Sequence, residues 1–313
     1  RNEEHGLFAL PCPQLRIPGS SPVAVAQDLA ARFPRDEVFT NAVAAGPFLN
    51  ISVDGGMIVK ETLADALRMG EAYGTNKIGE GKRLCIDYSS PNIAKPFHVG
   101  HLRSTIIGNF LKLVYRANGF HVHGINYLGD WGKQYGLLAV GFGRYGSEEA
   151  LLKDPIRHLF DVYVRINADA KDDESIDSDA RAYFKKMEEG DEEALKLWRR
   201  FRELSIEKYK DIYHRLNVEF EEYSGESCFE QGMMDRVKEL ADQGILVDSE
   251  GAKVVDLEPY NLGKAIVIKK DGATLYLTRD IAAANERFER LNLDKAIYVI
   301  ASQQDLHMQQ LFK

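Results

Sequence analysis

Two hydrophobic periods alternate along the chain, and the switches between them mark its elements. SPVAVAQDLAARF (21–33) opens with Ser and Pro and then repeats apolar residues at helical spacing. VFTNAVAAGPFLNISVD (38–54) reads as two strands around AAGPFL, with Phe48, Leu49, Ile51 and Val53 patterning the second. DGGMIVKETLADALRMG (54–70) returns to the helical period, so residues 1–77 form a small α/β module. RLCIDYSS (83–90) is a short apolar strand. A proline-broken loop follows, and then a helix in which Leu102, Ile106, Ile107, Phe110, Leu113 and Val114 recur at three and four before Asn118-Gly119 closes it. VHGINYLGDWG (122–132) is the next strand. Strand, loop, helix, strand is a parallel βαβ unit, with its site expected at the carboxyl edge of the first strand.

From about 143 to 217 the pattern is helical and highly charged, which reads as solvated helix faces. FRELSIEKYKDIYHRLN places Phe201, Leu204, Ile212, Tyr213 and Leu216 on one stripe. MMDRVKELADQGIL is a further helix with a glycine stop. VVDLE, AIVIKKDGATLYLT and AIYVIAS read as strands, with Asp271-Gly272 as a hairpin turn, and TRDIAAANERFERLN as the helix between the last two. The expectation is an α/β fold: an interrupted Rossmann-type parallel sheet with helical insertions. Its parts are 1–77, a first half over 78–142, an inserted region over 143–253 with a core segment at 201–235, and an incomplete second half over 254–313.

Composition changes this picture little. The 313 residues are 44% hydrophobic and 28% charged, enough for a sizeable core. No apolar run has membrane-spanning length and no signal peptide opens the chain. The first residue is Arg1, so the natural N-terminus is expected to lie upstream. A net charge of −8 argues against a generic nucleic-acid binder and leaves room for a local basic patch. Three cysteines, Cys12, Cys85 and Cys228, lie far apart with no metal-ligand spacing. They read as reduced, buried thiols of a cytoplasmic protein, and no metal site is expected.

The chemistry concentrates in SSPNIAKPFHVGHLRST, residues 89–105. Gly100 permits close backbone approach, and a helix starting near Val99 offers free N–H groups and a positive dipole end. His98 and His101, at i and i+3, face one side and can donate to a triphosphate, with Lys95 nearby in the loop. The plain alternative makes both histidines helix caps. GFGRYG (141–146) fits G-x-G-x-x-G but reads as loop punctuation, because it lies in the wrong half of the unit. GEGKR (79–83) is a linker turn that precedes a strand.

KPFHVGHLRSTIIGN resembles the HIGH-like signature of class I aminoacyl-tRNA synthetases, in the form carried by arginyl-tRNA synthetases. NYLGDWGKQYGLL, ARAYFKKMEEGDEEALKLWRRFRELSIEKYKDIYHRLNV, EYSGES, LYLTRDIAAA and QQDLHMQQLF are similar to that family in the same order, and the insertion resembles fungal cytoplasmic members. The resemblance implies an arginine–tRNA ligase: Mg²⁺-ATP activates L-arginine, and the arginyl group passes to tRNA(Arg). It places His98, Gly100, His101 and His307 on the ATP side. Lys95 stands where a lysine substitutes for the mobile KMSK lysine, making Lys95, His98 and His101 the catalytic groups. Tyr276 and Asp280 would hold the substrate guanidinium. Ser90, Pro91 and Asn92 would surround the α-amino group, His101 would also contact the arginine, Gln304 would make the far-side contact, and Asp87 stands at an arginine-binding position where the family usually has glutamate. In GPFLN, Phe48 would stack on a tRNA base with Asn50 beside it, and residues 1–77 become a D-loop-binding module. The resemblance implies a monomer without membrane contact. It also implies that the anticodon-binding domain and a KMSK-type loop lie beyond this stretch, so the 313 residues alone are expected not to charge tRNA. Two alternatives stand beside it: an HxGH-type nucleotidyltransferase, and a non-catalytic tRNA-binding or scaffold relative.

Overall fold

A computed structural model describes residues 6–229, 232–270, 272 and 275–313. The chain forms two compact units, Arg1–Thr75 and Asn76–Lys313. In the first, strands β1 (Phe8–Pro11), β2 (Phe39–Ala45) and β3 (Phe48–Val53) make an antiparallel sheet in the order β1-β3-β2. Helix α1 (Pro22–Arg32) starts at Ser21, whose hydroxyl accepts from the Ala24 amide, and covers the sheet through Val25 and Ala26. Helix α2 (Gly55–Met69) is capped by Asp54, which accepts from Met57 N, and buries none of its residues.

The second unit is built on a parallel sheet. Strand β4 (Arg83–Asp87) leads into helix α3 (Val99–Ala117) and then strand β5 (His121–Leu128), in register with β4 from Arg83↔His121 to Asp87↔Ile125. Helices α4 (Lys133–Tyr145), α5 (Glu148–Lys153), α6 (Pro155–Asp169), α7 (Glu174–Glu188) and α8 (Glu192–Arg215) follow. Strand β6 (Glu222–Gly225) then joins β5 in parallel. After helix α9 (Met233–Asp242), strands β7 (Leu246–Ser249), β8 (Ala252–Asp256) and β9 (Lys264–Ile268) form a separate antiparallel sheet. Helix α10 (Tyr276–Leu291), strand β10 (Lys295–Tyr298) and helix α11 (Asp305–Phe312) complete the unit, and β10 lies parallel to β4. The order β10-β4-β5-β6 puts β4 inside the sheet, which is why Leu84, Cys85 and Ile86 are all buried.

Several expectations change. VVDLE and AIVI pair with each other in the antiparallel sheet, so only β10 of the late strands joins the parallel one. LYLT is no strand: α10 already begins at Tyr276. The Asp271-Gly272 turn falls partly outside the described residues. The GFGRYG stretch opens inside α4, where Gly141 packs against Val162 and Ile166 of α6. Cys12 and Cys85 are buried, but Cys228 is exposed.

Helix α3 is inverted relative to its apolar row. Leu102, Ile106, Ile107, Phe110, Leu113 and Val114 are exposed, while Thr105, Gly108 and Lys112 face inward. A methyl group at Gly108 would overlap the Tyr88 ring, so close contact with the sheet requires glycine there. Lys112 reaches through this face to the Glu219 carbonyl and the Glu221 carboxylate.

Candidate active site

The site lies where the parallel strands end. Between β4 and α3 the backbone takes left-handed conformations at Ser89, Ser90 and Ala94, none of them glycine. Such residues persist only where surroundings hold them. The Ser89 hydroxyl lies 2.7 Å from both the Tyr213 hydroxyl and Thr105 Oγ1. Ser90 N donates to Asn126 Oδ1 at 3.1 Å, and Ala94 N donates to Ser205 Oγ at 3.2 Å. The Tyr209 hydroxyl bridges the carbonyls of Asn92 and Lys95 at 2.7 and 2.6 Å. Ser205, Tyr209 and Tyr213 recur every four residues along α8, so one polar stripe of that helix clamps the loop. Pro91 is buried within the loop, while Ser90 and Asn92 are exposed. Behind it lies a cavity of about 290 Å³ lined by Asn92, Lys95, Gln134 and Tyr163 among others. The Lys95 ammonium stands 5.7 Å from the centre of the Tyr163 ring.

At the start of α3 the two histidines cap each other's turn. Gly100 N donates to His98 Nδ1 at 3.1 Å, and His98 N donates to His101 Nδ1 at 3.3 Å. The rings stack at 3.8 Å between centroids, 20° from parallel. Because both Nδ1 atoms accept, the tautomer with its hydrogen on Nε2 fits both rings. Burial, and then the neighbouring His98, lower His101 to about 4. A methyl group at Gly100 would come within 2.9 Å of the His98 ring, so the glycine serves this cap. The capping reading of HVGH is thus realised at the start of α3.

Helix α10 begins with Tyr276, and Asp280 follows one turn later. Asp280 Oδ2 lies 2.7 Å from His307 Nε2, and Asp280 Oδ1 accepts from the Tyr127 hydroxyl at 3.4 Å. Tyr276 is 60 % exposed, and its ring meets His307 edge to face at 5.0 Å. The structure thus groups His307 with Tyr276 and Asp280. Gln304 is exposed at the turn before α11 and makes no side-chain cap bond.

Asp87 is buried at the end of β4. Its Oδ1 accepts from the Ser90 hydroxyl at 3.0 Å and its Oδ2 from Arg287 Nη1 at 2.8 Å. Sequence reasoning missed Arg287, and it missed two further acids. Asp130 is fully buried and accepts from Arg202 Nε at 2.6 Å and from Ser227 N and Oγ at 2.9 Å. Glu226, 3.7 Å from Arg279, is pushed up to about 7 by burial, which outweighs the pull of Arg279. The available signal was the pair of glycine-flanked acids in GDWG and SGES. A methyl group at Gly225 would strike the Asp130 carboxylate. Among the described residues no cluster of three His, Cys, Asp or Glu side chains could hold a metal ion.

In the first unit, Phe48 is 44 % exposed at the start of β3, whereas Asn50 is buried in the middle strand.

Residues 62–313 match the family described as tRNA synthetases class I (R), catalytic domain. The chain belongs to that family. It is 52% identical over 320 residues to the cytoplasmic arginine–tRNA ligase of Saccharomyces cerevisiae, covering 99% of this chain and 53% of that protein. It is 48% identical to a probable cytoplasmic arginine–tRNA ligase of Dictyostelium discoideum, covering 100% of this chain and 58% of that one. The fold matches the crystal structure of arginyl-tRNA synthetase from Plasmodium falciparum with a TM-score of 0.69 at 23% identity, over 93% of this chain and 51% of that one. This member of the class I family spans about half the length of the curated relatives it matches.

Proposed function

We propose that the chain supplies the activation site of an arginine–tRNA ligase. The observation that carries this reading is that two histidines cap the helix directly after β4, while on the adjacent β5 the Tyr127 hydroxyl holds the Asp280 carboxylate. ATP lies with its phosphates at the α3 start, and Mg²⁺ accompanies the phosphates as part of the substrate. The arginine guanidinium meets Asp280, whose two oxygens retain lone pairs beyond those used by Tyr127 and His307, and Tyr276 covers it. Asn92 and Ser90 stand on the exposed side of the loop toward the α-amino group, and Gln304 closes the far side.

The arginine carboxylate oxygen attacks the α-phosphorus, the bond to the bridging oxygen breaks, and pyrophosphate leaves. Negative charge builds on the phosphoryl oxygens, so the step needs aligned donors and no protein nucleophile. His98 and His101 donate from Nε2, the α3 amides add their dipole, and Lys95 leaves the Tyr163 ring for the phosphates. The tRNA 3′ hydroxyl then attacks the adenylate carbonyl, and AMP departs. Phe48 offers an exposed ring for a tRNA base, and residues 1–77 act as the D-loop module. Cytoplasmic location and a monomeric state complete the reading, in keeping with cytoplasmic relatives in yeast and Dictyostelium.

Calorimetric titration with arginine, lysine and glutamine tests it. Arginine should bind. Lysine, whose single ammonium leaves buried acceptors unpaired, should bind weaker by about a hundredfold. ATP binding without any preference among the three amino acids would favour the nucleotidyltransferase reading instead.

A further inference from the structure

Arg287 is among the largest fully buried side chains, at 2 % exposure. At about 100° per residue, positions 276, 280 and 287 of α10 fall within a roughly 40° arc, so Tyr276, Asp280 and Arg287 share one face. That face meets the carboxyl ends of three strands. Arg287 Nη1 donates to Asp87 on β4 at 2.8 Å. Its guanidinium carbon lies 4.8 Å from the centre of the Tyr127 ring on β5 and 5.8 Å from that of Tyr298 on β10. The remaining oxygen of Asp87 is taken by Ser90. Tyr127 carries Arg287 against its ring face and directs its hydroxyl to Asp280.

Asp87 is thus already satisfied by a guanidinium, the protein's own. A second guanidinium approaching it would meet Arg287 and find no free net charge. Asp280, half-buried, is held by a neutral phenol and an imidazole and keeps room for a planar cation. We infer that Arg287 is a positioning residue of the amino-acid site: it withdraws Asp87 into the protein and sets Tyr127 against Asp280, so that Asp280 and not Asp87 receives the substrate cation. This rests on the arginine reading and specifies which of two nearby carboxylates carries it.

The test compares arginine and ATP affinities of the chain and its variants. Arg287→Met should weaken arginine about tenfold or more and leave ATP within about twofold, because the α3 start does not depend on the pair. Arg287→Lys, which keeps a charge for Asp87, should recover most of that loss. A merely structural role would lower both affinities or neither, and either result overturns the inference. Should Arg287→Met fail to fold, the double change Asp87→Asn with Arg287→Gln replaces the ion pair by a neutral amide pair. It should bind arginine no more than about fivefold weaker. A loss as large as that of Asp280→Asn would make Asp87 a direct ligand and sink the proposal. Failure of the unaltered chain to prefer arginine would instead refute the arginine reading itself.

Discussion

The start of α3 and the inner face of α10 both prepare for charge, by opposite means. At α3 the preparation is local: two histidines cap a turn through backbone amides and stack on each other. At α10 it is long-range and centred on carboxylates. Arg287 pairs with Asp87, 200 residues away, and Asp280 meets the His307 imidazole, 27 residues on. A polyanion that arrives hydrated needs a fixed set of dipoles. A single cation needs one correctly placed carboxylate and no competing one. On the proposed reading, the difference would let one sheet edge hold both without the two sites neutralising each other.

If the charged side depends on paired burial, breaking a buried pair should cost far more than altering a cap. Arg202→Ala strands the fully buried Asp130 and should lower unfolding free energy by about 3–5 kcal/mol in chemical denaturation. A loss under about 1 kcal/mol would erase the contrast, since that is the size of a cap.

A smaller effect sharpens the α3 side. His101 titrates near 4 when folded, against an ordinary value of 6.5, so the unfolded chain binds more protons between those values. Its contribution to stability should be complete above about pH 6.5 and fade as the pH falls toward 4. Glu226 runs the other way, because its folded value near 7 lies above the ordinary 4.5 and stability is lost as the pH rises through that window. Replacing His101 by Asn should therefore remove the rise in stability between about pH 4 and 6.5 and leave the fall with rising pH due to Glu226. An unchanged acid limb would contradict the burial of His101.

What the sequence disclosed follows the same division. The HVGH turn was legible because its capping bonds span two or three residues, and the β4-loop-α3-β5 unit because the hydrophobic period switches along it. The inverted face of α3 was not: periodicity shows that one face is apolar, but the close-packing choice at Gly108 and the reach of Lys112 decide which face turns inward. The antiparallel β7-β8-β9 sheet was illegible for a related reason, since strand character at VVDLE and AIVI leaves the pairing partner open. Arg287, Asp130 and Glu226 read as ordinary charges on helices and loops. Only folding shows that they are buried and paired. Tyr213 was read as part of the apolar stripe, while Ser205 and Tyr209 drew no notice, because their partners are carbonyls, amides and hydroxyls of a loop far away in sequence.

The most direct measurement is the arginine affinity of Asp280→Asn beside the unaltered chain, with ATP titrated into both. The change keeps shape and removes one negative charge from the tyrosine-flanked position. Arginine affinity should fall by about a hundredfold with ATP unaffected, as expected for a charge-assisted bidentate contact. Equal arginine binding by both proteins would show that the guanidinium is held elsewhere, and the account of the α10 edge would fall.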